Sequence, residues 1–80
     1  MKAIVNIMLK AGVLDSQGKA VHNGLDSLGF KSVKDVRVGK QIVLDLDESD
    51  EAKAKQSVKD MCEELLANTV IEDYTIELVK

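Results

Sequence analysis

Val33-Lys34-Asp35-Val36-Arg37-Val38-Gly39-Lys40-Gln41-Ile42-Val43-Leu44-Asp45-Leu46 is the stretch whose reading decides the fold. Val36 and Val38 alternate with Asp35 and Arg37, and Ile42, Leu44 and Leu46 alternate with Val43 and Asp45. Alternation with period two marks a half-buried strand. Gly39-Lys40 falls between the two runs and offers a turn, so the pattern predicts a central β-hairpin. A two-residue loop at 39–40 would set Val38 opposite Gln41 and Val36 opposite Val43, with the apolar sets on opposite faces. A three-residue or bulged connection sets Val38 opposite Ile42 and Val36 opposite Leu44. Burial of one apolar face favours that odd loop.

On the N-terminal side, Ala3 to Leu9 predicts a first strand, with Ala3, Val5, Ile7 and Leu9 on one face. The other face carries Ile4, Asn6 and Met8, which is apolar for a solvated surface and points to a covering protein surface there. Ile4 and Met8 are therefore candidates for self-association. Asp15 is placed to cap a first helix. Its stripe is Ala20, Val21, Gly24, Leu25 and Leu28, with Gly24 read as allowing close approach to the sheet. Gly29 ends the helix in a left-handed conformation, and Phe30 anchors the loop after it.

On the C-terminal side, Ser49 or Asp50 caps a second helix whose carboxylates sit near the positive end of the helix dipole. Glu51 and Lys55 are spaced as an i,i+4 pair. Val58, Met61, Cys62, Leu65 and Leu66 form a helical apolar stripe. Asn68 stops the helix, and Val70 to Val79 predicts the last strand, with Tyr74, Ile76 and Leu78 toward the core. The order βαββαβ predicts an α+β fold. Short right-handed connections favour a four-stranded antiparallel sheet with two helices on one face, a ferredoxin-like two-layer sandwich in a single domain over residues 1–80.

The chain has 80 residues, one cysteine and one histidine. Domains this small bury a modest share of their surface and usually lean on disulfides, metals or partner chains. With Cys62 and His22 alone, an intrachain disulfide and a Cys/His metal cage are excluded. Oligomerisation, as a homodimer or higher, is the route that remains. Lys plus Arg total 11 against 14 Asp plus Glu, a net charge of −3. No basic stripe is available to follow phosphates and no aromatic pair to stack bases, so nucleic acid is not an expected partner. No apolar run is long enough to span a membrane. Met1 to Leu9 is too short, and too interrupted by Lys2 and Asn6, for a signal peptide. A cytoplasmic location is the expectation.

Catalytic readings lack the residues they need. Cys62 lies inside the apolar stripe and reads as a buried structural thiol. His22 borders the first helix's stripe with no second ligand near it. Gly12, Gly18, Gly24 and Gly29 form no phosphate-binding pattern. The acidic run Asp45, Asp47, Glu48, Asp50, Glu51 lacks EF-hand spacing. RNA-binding relatives of this fold need exposed aromatics on the central strands, and acylphosphatase-like enzymes need an arginine after the first strand. The residues therefore describe an interaction module without a catalytic site or cofactor. Arg37 is the only arginine, and alternation turns it, with Lys40, away from the helices and toward partners. Glu72 and Asp73 put two carboxylates beside a strand, where they fit poorly. Asn68, Thr69, Glu72 and Asp73 are thus further candidates for a partner interface.

Three stretches carry a resemblance over essentially the whole chain. They are Val13-Leu14-Asp15-Ser16-Gln17-Gly18 with Ala20-Val21, then Val36-Arg37-Val38-Gly39-Lys40, then the unbroken run from Leu65 to Tyr74. The chain resembles the PurS family, small subunits of phosphoribosylformylglycinamidine (FGAM) synthase. It departs from the family where Ser16 stands in place of the usual proline, losing a preset first helical turn. The resemblance implies a dimeric subunit with no catalytic site of its own, in an ATP-dependent ligase complex of purine biosynthesis. Such a subunit joins a glutaminase to a synthetase and assists ammonia transfer. ATP and Mg would belong to the synthetase. A competing reading is a dimeric small-molecule sensor of the ACT type, which needs a glycine-rich turn after the first strand; Gly12 is the only candidate there.

Overall fold

Ala3, Val5 and Ile7 are fully buried, and they put their strand at the centre of the sheet. The computed structural model describes residues 1–80. β1 (Lys2–Leu9) is followed by α1 (Ser16–Ser27), β2 (Lys40–Asp45), α2 (Glu51–Met61), a π-helical turn (Cys62–Leu66) and β3 (Glu72–Val79). The sheet has three strands in the order β2-β1-β3. Both pairings are antiparallel, with Val5 opposite Ile42 on one side and Ile76 on the other. The chain is α+β, as expected.

The predicted hairpin does not form, and with it goes the fourth strand of the chain's own sheet. Residues 33–39 run into β2 without reversing. Only Gly12 and Gly29 have positive φ, so Gly39 makes no left-handed turn. Its lack of a side chain serves a different purpose. A Cβ on Gly39 would collide with the Met8 side chain and with the Ile7 carbonyl oxygen at 2.5 Å. Gly39 lets the chain pass close beside the end of β1. Residues 33–38 then continue the line of β2 beyond the sheet as a strap.

α1 forms where expected and is well capped. The Asp15 carboxylate accepts from the Gly18 N–H. Gly29 has φ +98, and the bonds from Gly29 N–H to Asp26 and from Phe30 N–H to Leu25 close a Schellman end. Yet α1 buries only Gly18. It supplies no side chain to the core, so the expectation of two helices on one face of the sheet fails within one chain. α1 and the strap instead project from the end of the sheet as an arm. The radius of gyration is 16.0 Å, against about 12 Å for a compact chain of this length.

α2 alone covers the sheet. Asp50 is its cap, accepting from the N–H groups of Ala52 and Lys53. Val58 and Cys62 are buried in one cluster with Ala3, Val5 and Ile7 of β1, Ala54 is buried on the same helix, and Tyr74, Ile76 and Leu78 pack beside the cluster as the alternation predicted. Glu51 pairs with Lys80 at 2.8 Å rather than with Lys55. The expected stripe loses Leu65, while Leu66 still packs against the core. The bond from Ala67 N–H to the Cys62 carbonyl spans five residues, and the extra residue in that turn rotates the side chains beyond it. Leu65 is thereby 83% exposed while Ala67 is buried.

Two glycines of α1 differ in sign. A Cβ on Gly18 would collide with the Val36 carbonyl oxygen, whereas one on Gly24 meets nothing within 4 Å. Gly18, not Gly24, is the close approach, and it faces the strap. Gly24→Ala should raise stability by about 0.5–1 kcal/mol through helix propensity. Gly18→Ala should lower it by about 1–3 kcal/mol, the usual cost of overpacking. Urea midpoints of the two variants, measured side by side, check the opposite signs.

Candidate functional site

The end of β1 and the starts of β2 and β3 meet at one end of the sheet, and the arm leaves from there. The Lys10 N–H donates to the Ile71 carbonyl at 2.8 Å, which ties the two loops together. Lys10 Nζ lies 3.3 Å from Asp73, and Lys40 Nζ lies 3.7 Å from Glu72. The second Glu72 carboxylate oxygen accepts from the Asn68 N–H at 2.7 Å, and the Asn68 side chain accepts from the Val70 N–H. The turn 68–72 is thus built by its own polar groups, and β3 starts at Glu72 rather than Val70. Four of the candidates, Lys40, Asn68, Glu72 and Asp73, share this platform with the exposed Thr69. The carboxylates that looked misplaced beside a strand are the ion-pair partners of two lysines.

Arg37 reaches the same place by another route. Its guanidinium donates to the carbonyl oxygens of Leu9, Lys10 and Val13 at 3.2–3.4 Å. It therefore organises the β1–α1 loop, though it remains exposed. Asp15 works beside it. One carboxylate oxygen caps α1, and the other accepts from the Val38 N–H at 2.7 Å. Asp15 is 7% exposed. The two N–H groups, Gly18 first and then Val38, hold its carboxyl below the usual carboxylate range, and the Arg37 charge adds to the effect. This second bond, which pins the strap, was not visible in the sequence; an N-cap aspartate carries no mark of a distant partner. His22 holds the far part of the strap, with Nε2 2.9 Å from the Val33 carbonyl oxygen.

The chemistry available here is limited. A shallow depression of about 250 Å³ lies between β1 and the strap, with Asp15, Gln17, Lys40 and Glu72 on its polar side. Asp15, Lys40 and Glu72 are already engaged within the chain. Burial raises the Cys62 thiol above its ordinary range, which keeps it protonated and unreactive. No three side chains of His, Cys, Asp and Glu gather to hold a metal ion, and no helix is long and apolar enough to cross a membrane. What this chain does offer is exposed apolar surface: Val70 in the platform's turn is 81% exposed, and Leu14 and Leu65 elsewhere are 73% and 83% exposed. Nothing in the residue pattern warned of Leu65, because the π-helical turn has no local signature.

Ile4 and Met8 lie on the open face of the sheet. Met8 is 41% exposed and Ile4 is half-buried. That face is more polar than the first strand suggested. Asn6 accepts from Gln41 at 2.9 Å, and Asp73, Thr75 and Glu77 stand opposite Met8, Asn6 and Ile4.

The sequence model of the PurS family, described as phosphoribosylformylglycinamidine (FGAM) synthase, matches residues 2–80. The PurS subunit of Bacillus subtilis is 49% identical over 77 residues, covering 96% of this chain and 90% of that protein. The crystal structure of Methanocaldococcus jannaschii PurS superposes with a TM-score of 0.89 at 46% identity, covering 99% of this chain and 95% of that one. A chain in the structure of PurLQS from Thermotoga maritima superposes with a TM-score of 0.88 at 32% identity, covering 98% and 95%.

Asp15 yields a pH prediction. Its carboxyl is lowered in the folded chain, so its contribution to stability is present above the unfolded carboxylate pKa of about 3.9. That contribution is lost as pH falls through the lower folded value. Asp15→Asn should be less stable than the parent near pH 6, with the gap closing under strongly acid conditions. Urea midpoints from pH 6 down to pH 2.5 check this; a constant gap contradicts it.

Proposed function

The chain belongs to the PurS family, and from that premise we propose that it is the non-catalytic coupling subunit of an FGAM synthase, an ATP-dependent ligase complex of purine biosynthesis. The carrying observation is the full-length likeness to PurS proteins, including the chain found in the PurLQS structure of Thermotoga maritima. In this reading the subunit holds a PurQ-like glutaminase beside a PurL-like synthetase and helps ammonia pass from one to the other. ATP and Mg act at the synthetase. The subunit itself is a homodimer.

Physical chemistry supplies the reason for such a subunit. Ammonia released into bulk water is diluted and largely protonated near neutral pH, and the ammonium ion is not a nucleophile. Holding the two active sites in one assembly avoids both losses. The platform of Lys40, Asn68, Thr69, Glu72 and Asp73, with Val70 exposed in its turn, combines polar groups with exposed apolar surface, as protein interfaces do. The family match leaves the ACT-type sensor reading without support, and Gly12 alone does not make a ligand-binding turn.

Two nitrogen sources test the proposal. Alone, the chain should hydrolyse neither glutamine nor ATP. With its glutaminase and synthetase, it should be required for the glutamine-driven reaction and dispensable when ammonium salt replaces glutamine. Equal dependence with both sources would assign it to the synthetase chemistry instead, and no dependence with glutamine would remove the coupling role.

A further inference from the structure

β3 is an edge of the sheet, because the order β2-β1-β3 leaves no strand on its outer side. Its pairing with β1 runs unbroken from Lys2 opposite Val79 to Leu9 opposite Glu72. Just beyond that ladder the Lys10 N–H donates to the Ile71 carbonyl. Backbone groups alternate between the two sides of a strand. Even-numbered residues of β1 therefore bond to odd-numbered residues of β3, and the N–H and carbonyl groups of Tyr74, Ile76 and Leu78 point outward. None of these groups has a hydrogen-bond partner in the chain.

Natural sheets blunt such an edge with proline, lysine or a bulge. β3 has none of the three. The chain contains no proline, the strand contains no lysine, and its register is continuous. The side chains beside the edge define what fits it. Toward α2, the partly buried Ile76 and Leu78 line a groove of about 460 Å³, with Glu51, Ala52 and Lys55 along the helix side. On the open face stand Asp73, Thr75 and Glu77, all exposed. Asp73 is paired with Lys10. Glu77 lies opposite Ile4 and has no cation to pair with. The edge is thus apolar on one side and acidic on the other.

We propose that the β3 edge takes up an extended segment of a partner subunit, one that alternates apolar residues with lysine or arginine. The inference rests on the coupling reading above and states the partner's chemistry at one surface. Main-chain bonds to Tyr74, Ile76 and Leu78 supply the affinity of an added strand, and its alternate side chains supply the specificity. One set of side chains lies in the groove against Ile76 and Leu78. The other set stands on the open face, where Glu77 and Asp73 select positive charge. A second copy of β3 is a poor occupant. Antiparallel pairing sets outward groups against outward groups, so odd residues would oppose odd residues. Asp73 and Glu77 of both copies would then gather on one face, and like charges on facing strands repel.

Hydrogen exchange, carried out in the assembled complex and read residue by residue, tests the edge without altering the chain. In the free chain the amides of Tyr74, Ile76 and Leu78 should exchange faster than those of Thr75 and Glu77, which β1 already holds. With the glutaminase and the synthetase bound, those three amides should slow by about tenfold or more. Glu77→Lys disturbs no hydrogen bond or ion pair of the chain, so its urea midpoint should match the parent's. The new lysine should weaken assembly about fivefold, with the difference shrinking as salt is added. A complex that forms and couples the two reactions while the three amides stay fast overturns the added strand and leaves the coupling role standing. Protection that grows with the concentration of the chain alone assigns the edge to a second copy and also overturns the proposal. Assembly indifferent to Glu77→Lys overturns the basic character of the segment. A chain that binds neither subunit overturns the added strand and the coupling role together.

Discussion

The structure turns on how the chain passes residue 39. Gly39 crosses the end of β1 where no side chain fits, close to the Ile7 carbonyl and under Met8. Just before it, the Val38 N–H is held by the Asp15 carboxylate. Just after it, Lys40 pairs with Ile7 in the sheet. With both neighbours fixed, the chain has no freedom to reverse, and the glycine has no positive φ with which to do so. The strap is therefore straight, the arm projects, α1 leaves the core, and the sheet keeps a half-covered face. A charge-assisted hydrogen bond of about 1.5–3 kcal/mol and one steric exclusion decide between a closed monomer and an open one.

Sequence patterning revealed what is local. Alternation in Ala3–Leu9 and in Tyr74–Leu78 identified two of the three strands, though not that the first is central, and Asp15 and the pair Ser49–Asp50 marked the helix starts, because capping depends on residues two or three positions apart. Three features were not legible, each for a physical reason. Gly39 between two alternating runs looks the same whether it turns or slips past a neighbour; only the tertiary clash with β1 distinguishes the two. The π-helical turn at Cys62–Leu66 depends on one five-residue hydrogen bond and moved Leu65 from the expected core to the surface. Gly24 and Gly18 are chemically identical, and only the strap's position makes Gly18 the intolerant one.

The candidate site shows the same division. Glu72 and Asp73 were picked out by their misfit to strand chemistry, Lys40 by strand alternation and Asn68 as the stop of the second helix, and all four share one end of the sheet. Their partners, Lys10 above all, carried no such mark. The Lys10–Asp73 pair is exposed and worth under about 1 kcal/mol, and the Lys40–Glu72 pair is covered on the Glu72 side only, so they shape the platform more than they stabilise the fold. With its one thiol buried and Asp15, Glu72 and Asp73 engaged within the chain, this end of the molecule offers surface, which is the part a coupling subunit plays.

The open form requires residues 33–45 to run straight through Gly39. Spin labels at Lys34→Cys and Asp45→Cys, both on exposed side chains, measure this directly; the buried Cys62 stays out of reach of the label. Labelled chain diluted into unlabelled chain leaves only the intrachain distance. A straight run gives a Cα separation of about 36 Å. A hairpin would bring the two positions within about 10 Å, and a distance in that range would contradict the open form.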